Sequence, residues 1–292
     1  MSFHFSNIVA IVCHDAGGAE IISSYIKQHG LVCEYALAGP ALKIFKRKLG
    51  VHNVKSVECV INNSEWLLCG TGWQSDFEWK AIKLARDMGK KSVAFLDHWT
   101  NYFERFVRLG NIHFPDEIWV GDVPAEKIAN EKFPNIPVKF VSNPYFAELR
   151  HELRSFSNIV NSSDLGIRIL YICEPTTPLE SLGYTDHEAL QYFFKCIANS
   201  DEQIASVCLR PHPSEPNDKY SWAIKYGSKN VTITGHRSLL EEIVDSDWIV
   251  GRSSMALVIG LFADKKVFGC IPPGGKSFTL PYKGIMPLVH ES

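Results

Sequence analysis

Three things are missing from this sequence, and each removes a class of function. No two cysteines form a Cys-x-x-Cys pair; the eight, at positions 13, 33, 59, 69, 173, 196, 208 and 270, fall mostly inside apolar, strand-like runs. Buried free thiols in a reducing cytoplasm fit that spacing better than disulfides or zinc, so no metal is expected. No uninterrupted apolar run nears the roughly 20 residues of a membrane span. Met-Ser-Phe-His-Phe-Ser at the start has neither the basic region nor the apolar core of a signal peptide. The third absence is a basic excess. With 30 Lys and Arg against 32 Asp and Glu, the net charge of −2 offers no footprint for a polyanion, and nucleic acid is not an expected partner.

The one basic cluster, Lys43-Ile44-Phe45-Lys46-Arg47-Lys48, has apolar residues between its charges. It reads as the solvated face of a helix, with peripheral contact at the inner face of an anionic membrane as the alternative.

What is present is alternation. Short apolar runs at Asn7–Cys13, Leu31–Leu37, Glu65–Cys69, Ser92–Leu96 and Glu117–Val120 read as strands. Between them, Ile21–Ile26, Ala41–Leu49 and Asp76–Met88 carry a helical period. The stretch from Ser155 to Gly166 is polar and rich in turn formers, as a linker would be. The pattern then restarts: Ile167–Cys173, Ile204–Leu209, Val231–Thr234, Trp248–Val250 and Val267–Ile271 as strands, Asp186–Ala198 and Lys219–Tyr226 as helices. Buried strands alternating with amphipathic helices argue for parallel sheets covered on both faces. The expected fold is α/β, with two Rossmann-like domains facing across a cleft, residues 1–158 and 159–292.

In such sheets ligands bind beyond the carboxyl ends of the strands. Two polar loops stand there in the second half. Arg210-Pro211-His212-Pro213 follows one strand; the prolines restrict the backbone around the imidazole, and Arg210 carries a planar fork suited to phosphate. Gly251-Arg252-Ser253-Ser254 follows another and opens an apolar helix, so one serine is a natural N-cap and the helix start favours an anion. Glu174-Pro175-Thr176-Thr177 ends the first strand of this half, where Glu174 and Thr176 would hydrogen-bond a donor.

In the first half, His14-Asp15-Ala16-Gly17-Gly18 makes a strand, glycine turn and helix start, and the glycines would let a sugar approach the backbone. The full dinucleotide fingerprint is lacking, so no nicotinamide or flavin cofactor is expected. Asp97-His98-Trp99 follows the fourth strand; Asp97, or Asp15 as its rival, could serve as a general base. Either aspartate could equally be a turn or cap residue, and Asp76 and Glu78 read as part of a helix start. Trp99, Tyr102, Phe103 and Phe106 are spaced for core packing; Trp73, after Gly70-Thr71-Gly72, is the better platform for an acceptor ring. Asp245-Ser246-Asp247 precedes its strand and reads as a surface turn rather than a metal motif.

His212-Pro213 and Ser253-Ser254, in that order and some forty residues apart, resemble the His-Pro and Ser-Ser/Thr motifs of bacterial sialyltransferases and related Kdo and capsule glycosyltransferases of the two-domain GT-B type. CDP-glycerol phosphotransferases share a similar Pro-His-Pro and later Ser-Ser. The likeness covers roughly the C-terminal 120 residues. It implies that His212 and the serines contact the nucleotide and phosphate of a CMP-sugar. An acidic-acidic-Gly motif of the same family is matched at its first acid by Asp97, with His98 and Trp99 at the next two places.

Together these readings predict a metal-independent, inverting glycosyltransferase that moves a CMP-activated nonulosonic acid or Kdo-type sugar to a surface glycan, with no cofactor beyond its donor substrate. The donor would meet Arg210, His212, Pro213, Gly251, Ser253, Ser254, Glu174 and Thr176 in the C-terminal domain. The acceptor would meet Gly17, Gly18, Gly72, Trp73 and His98 in the N-terminal domain. A UDP-sugar epimerase or hydrolase of the same fold, a CDP-glycerol-type phosphotransferase and a non-catalytic nucleotide-sugar-binding protein are the rival readings.

Overall fold

A computed structural model describes residues 8–72, 75–156, 166–175, 182–216, 218–226, 230–276 and 280–289. The chain divides into two compact units, Met1–Glu148 and Leu149–Ser292. The division falls inside a helix (Pro144–Phe156, α6), ahead of the whole polar stretch expected to act as the linker.

The first unit is a six-stranded sheet in which every pairing is parallel. Its strands are β1 (Val9–Cys13), β2 (Cys33–Leu37), β3 (Trp66–Cys69), β4 (Lys91–Leu96), β7 (Glu117–Val120) and β8 (Val138–Phe140), in the order β2-β1-β3-β4-β7-β8. A two-residue hairpin, β5 (Val107–Arg108) with β6 (Asn111–Ile112), stands apart from it. All five residues of β1 are buried, as a central parallel strand with helices on both faces requires. Ile11, Ile22, Phe45, Leu68 and Phe95 lie at the centre of the core.

Local chemistry sets the helices of this unit. Asp15 caps α1 (Ala16–His29), and Gly30, at a φ of 61°, ends it in the left-handed region that glycine tolerates. Helix α2 (Gly39–Leu49) has Pro at its start. It presents Lys43, Lys46 and Arg47 to solvent, while Lys48 bridges Glu20 and Glu148. The basic cluster is therefore a helix face, as its spacing predicts. Helices α3 (Val57–Asn62), α4 (Phe77–Asp87) and α5 (Val123–Lys132) complete the unit.

The second unit is also all parallel. Its strands are β9 (Ile167–Ile172), β10 (Ile204–Arg210), β11 (Val231–Ile233), β12 (Trp248–Gly251), β13 (Lys266–Gly269) and β14 (Ile285–Pro287), in the order β11-β10-β9-β12-β13-β14. Helix α7 (Asp186–Ala198) opens on a capping box of Thr185 and Glu188, and α9 (Leu239–Val244) on one of Ser238 and Glu241. Helices α8 (Ser221–Tyr226) and α10 (Met255–Phe262) complete it. Tyr171, Phe193, Leu209 and Val250 anchor the core.

The two sheets differ in one respect that places the site. Leaving the hairpin aside, the first follows the flavodoxin-type order and the second the dinucleotide-type order, so connections reverse direction between β1 and β3 in one and between β9 and β12 in the other. Among the described residues no helix is long and apolar enough to cross a membrane, and the cysteines are free thiols.

Candidate functional site

Both reversal points carry carboxylates. In the first unit, Asp15 follows β1, and its Oδ2 accepts the Gly18 N–H at 3.4 Å, the ordinary work of an N-cap. Its other oxygen, Oδ1, is buried without a hydrogen-bond partner among the described residues. Beside it stands Glu78, 1% exposed, which the sequence reading set aside as part of a helix start. Its Oε1 accepts the His14 N–H at 2.7 Å, and Oε2 is buried without a hydrogen-bond partner of good geometry among the described residues. A Cβ placed on Gly72 would lie 3.3 Å from Asp15 Oδ1 and 3.4 Å from Glu78 Oε2, so both orphan oxygens face that glycine.

The third acid, Asp97, follows β4. It is held by the buried Arg105, whose Nη1 donates to Asp97 Oδ1 at 2.6 Å and to the carbonyl and hydroxyl oxygens of Thr71 at 3.0 and 2.8 Å. Asp97 Oδ2 occupies the space over Gly17, where a Cβ would come within 1.9 Å. Gly18 packs its α-carbon side against Gly70. The absence of side chains at Gly17, Gly18 and Gly72 thus makes room for the protein's own carboxylates and backbone, where the sequence suggested room for a sugar.

Electrostatics separates the two candidate bases. Burial, reinforced by the negative charges of Asp97 and Glu78, pushes the Asp15 carboxyl up to about 8. Burial also raises Glu78 to about 7, against the lowering effect of backbone N–H donors that include His14 and Asp15. Asp97 has a cation at hydrogen-bond distance; among the described residues Asp15 has none so close. Cys13 Sγ can approach the same two carboxylates, the three donor atoms lying within 4.8 Å of one another, a set that could in principle hold a cation. Its thiol is pushed well up by burial and directs its S–H at the Asp15 carbonyl oxygen, 3.7 Å away.

Other expectations for this unit meet definite partners. His14 points away from Asp15, its ring against Gly39 as the strand pleat implies. His98 Nδ1 pairs with Thr100 Oγ1 at 3.1 Å. Trp99 is buried with its indole N–H on the Asp122 carboxylate. Tyr102 and Phe106 are buried as their spacing implies, while Phe103 is exposed. Trp73 lies outside the described residues.

In the second unit, the loops after three adjacent strands, β10, β9 and β12, bring together His212, Glu174 and Ser253. Glu174 Oε1 accepts the backbone N–H groups of Arg252 and Ser253, at 3.1 and 2.5 Å, and Oε2 accepts the Ser253 hydroxyl at 3.1 Å. Ser254 is the cap of α10, taking the Ala256 N–H at 3.2 Å. The helix start therefore does gather anion-binding donors, and an internal carboxylate fills them. Burial pulls the His212 imidazole down, against the opposing pull of the Glu215 and Glu174 carboxylates. The Ser214 N–H donates to His212 Nδ1 at 3.2 Å, which leaves the proton on Nε2.

Arg210 departs from its expected place. It ends β10 with its guanidinium on the buried Glu242 carboxylate and the Arg237 carbonyl, because side chains alternate along the strand and Leu209 takes the core face. Arg252 is the arginine at this edge: 4% exposed, it has Nε 3.6 Å from Glu174 and Nη1 2.9 Å from Asp186, which also binds Lys219. Gly251 sits inside β12, where a Cβ would press within 3.3 Å of the Ile172 carbonyl oxygen, a packing reason for glycine. Pro213 is exposed. Thr176 lies outside the described residues. Asp245 and Asp247 pair with Arg237 and Arg168, as a surface turn would.

Glu78, Arg105 and Arg252 are the residues missed from the sequence. Glu78 did leave a signal. It begins the spacing 78, 81, 82, 85 of α4's buried stripe, so a carboxylate stands on a face that the helical period assigns to the core.

No protein-family model matches the chain, and no curated protein matches it. Solved structures share its fold. A UDP-GlcNAc 2-epimerase from Methanocaldococcus jannaschii superposes with a TM-score of 0.58 at 12% identity, over 90% of this chain and 83% of that one. MnaA of S. aureus, solved with UDP, gives 0.59 at 12%, over 90% and 78%. The glycotransferase of kitacinnamycin gives 0.54 at 11%, over 91% and 81%. The likeness at these identities is one of fold: two parallel-sheet α/β domains of the GT-B-like kind.

Proposed function

We propose that the protein is a nucleotide-sugar enzyme, and in the first instance a metal-independent, inverting glycosyltransferase using a CMP-activated nonulosonic acid or Kdo-type donor and a glycan acceptor. One observation carries the reading: the loops after three adjacent strands at the reversal point of the second sheet hold His212, Glu174 and Ser253, with a cluster of anion-binding donors, the N–H groups of Arg252 and Ser253 and the Ser253 hydroxyl, gathered on Glu174. The donor's phosphate takes the N–H groups of Arg252 and Ser253 and the Ser253 hydroxyl, with Glu174 turning aside. His212 adds its Nε2–H, and these donors stabilise the charge that grows on the leaving phosphate.

Asp15 is the base in this reading. It receives the proton of the acceptor hydroxyl as that oxygen bonds to the anomeric carbon and the carbon–oxygen bond to the nucleotide phosphate breaks. A carboxyl raised toward neutrality suits the role better than Asp97, which Arg105 already binds. The acceptor belongs to the N-terminal domain, residues 1–158, and the donor to residues 159–292.

A second reading, a UDP-sugar epimerase or hydrolase, is favoured by the presence of two carboxyls raised to about 8 and about 7 in one cluster, a pair suited to removing and returning a proton. Thermal unfolding of the whole chain with CMP, CDP, UDP and GDP tests both. Selective stabilisation by cytidine nucleotides supports the transferase, and selective stabilisation by UDP supports the epimerase. If none of the four raises the unfolding temperature, both readings fail.

A further inference from the structure

The carboxylate seated at the start of α10 shows what that place accepts. Glu174 takes the N–H groups of Arg252 and Ser253 and the Ser253 hydroxyl, and its Oε2 stands 3.6 Å from a fourth group, Arg252 Nε. The side chain of Arg252, and not its backbone alone, is therefore part of the shell around the internal anion. Arg210, the arginine to which the sequence pointed, is bound to Glu242 instead.

Arg252 is 4% exposed, and its guanidinium is held from the side away from Glu174. Nη1 lies 2.9 Å from Asp186 Oδ1, and Nη2 donates to the Pro175 carbonyl oxygen at 3.4 Å. Asp186 is shared, since its Oδ2 takes Lys219 Nζ at 2.9 Å, and the same amine lies 2.8 Å from Glu215 Oε2. Glu174, Arg252, Asp186, Lys219 and Glu215 thus form a ladder of alternating charge from the loop after β9 to the loop after β10. The Glu215 N–H closes it on the His212 carbonyl oxygen at 2.9 Å. Two features of the ladder call for an anion. Nη1 of Arg252 is buried and, close as Asp186 is, has no hydrogen-bond partner of good geometry among the described residues. When Glu174 turns aside, the guanidinium also loses one of the two carboxylates that balance it, and a buried cation deprived of a partner is costly until another anion arrives.

We propose that the Arg252 guanidinium is the cation that binds the nucleotide's phosphate, through the Nε that now faces Glu174, while Asp186 anchors its far side. A planar fork suits this: one nitrogen stays on Asp186 while another meets the phosphate, which the point charge of a lysine cannot do. The inference rests on the reading of the α10 start as a phosphate site and adds the side chain that supplies its positive charge.

Calorimetric titration of the full chain with CMP and UDP, and with cytidine and uridine, tests it. The variant is Arg252→Gln combined with Asp186→Asn, which removes one charge of each sign and keeps the backbone N–H of position 252. Affinity for the nucleotide that the wild type prefers should fall about tenfold or more, and its dependence on salt should become shallower. Affinity for the matching nucleoside, which has no phosphate, should stay the same. Equal losses for nucleotide and nucleoside would mean that Arg252 only supports the fold, and an unchanged nucleotide affinity would mean that its side chain does not meet the phosphate; either overturns the proposal. Arg252→Lys, which keeps a positive charge beside Asp186, serves if the paired variant does not unfold cooperatively, and the same selective loss for the nucleotide is expected of it. If His212→Ala weakens nucleotide binding while both Arg252 variants leave it intact, this inference falls and the phosphate site stands. A wild type that binds neither nucleotide overturns both.

Discussion

A carboxyl whose folded pKa lies above its unfolded value makes the native state bind more protons than the unfolded chain, so stability falls as pH rises between the two values. For Asp15 that window runs from 3.8 to about 8, and for Glu78 from 4.5 to about 7. The contribution is whole below the lower value and lost above the upper one. Asp15→Asn should therefore raise stability relative to wild type at pH 8.5, by on the order of 1 kcal/mol, and bring little gain at pH 4. Urea unfolding at the two pH values checks it; an equal effect at both would mean Asp15 is an ordinary ionised cap. Arg105→Ala should act in the opposite sense, leaving the half-buried Asp97 without its cation at a loss of roughly 1–3 kcal/mol. A loss below 1 kcal/mol would show the pair to be solvated. Residues of this kind were half legible. Asp15 and Asp97 could be placed at strand ends, but which of them has a cation depends on Arg105, eight residues past Asp97 in an aromatic stretch that reads only as core.

At the scale of elements, reading by period succeeded where one face of a segment is apolar throughout. Asp186–Ala198 and Glu117–Val120 fall where their pattern puts them. Short or polar elements left no comparable pattern: α3, α9 and the β5–β6 hairpin are two to six residues long, and α5 buries only small residues, Ala125 and Ala129. The start of α10 is the element that matters most for function. Ser254→Ala should remove its cap and lower stability by about 1 kcal/mol without altering nucleotide affinity. Glu174→Ala should free the N–H groups of Arg252 and Ser253 and remove a competing anion. Binding of a nucleoside phosphate should then tighten about tenfold, equivalent to roughly 1.4 kcal/mol. Weaker binding in a calorimetric titration would instead mean that Glu174 grips the donor itself, as its position after β9 suggested from sequence.

For the whole molecule, the sequence announced two parallel-sheet α/β halves, because buried strands alternating with amphipathic helices leave few other arrangements. It did not announce the two strand orders, which depend on long-range pairing such as β1 with β3 and β9 with β12. Those orders set the reversal points, and the reversal points collect Asp15, Glu78 and Asp97 in one sheet and Glu174, His212 and Ser253 in the other. Calorimetric titration of the intact protein and of its His212→Ala variant with CMP and UDP decides the matter most directly. The wild type should bind one of the two with a clear preference, and loss of the Nε2–H donor should weaken that binding at least tenfold while the unfolding temperature stays the same. Binding of neither nucleotide, or an affinity that the His212→Ala change leaves untouched, would contradict a phosphate site at the carboxyl edge of the second sheet.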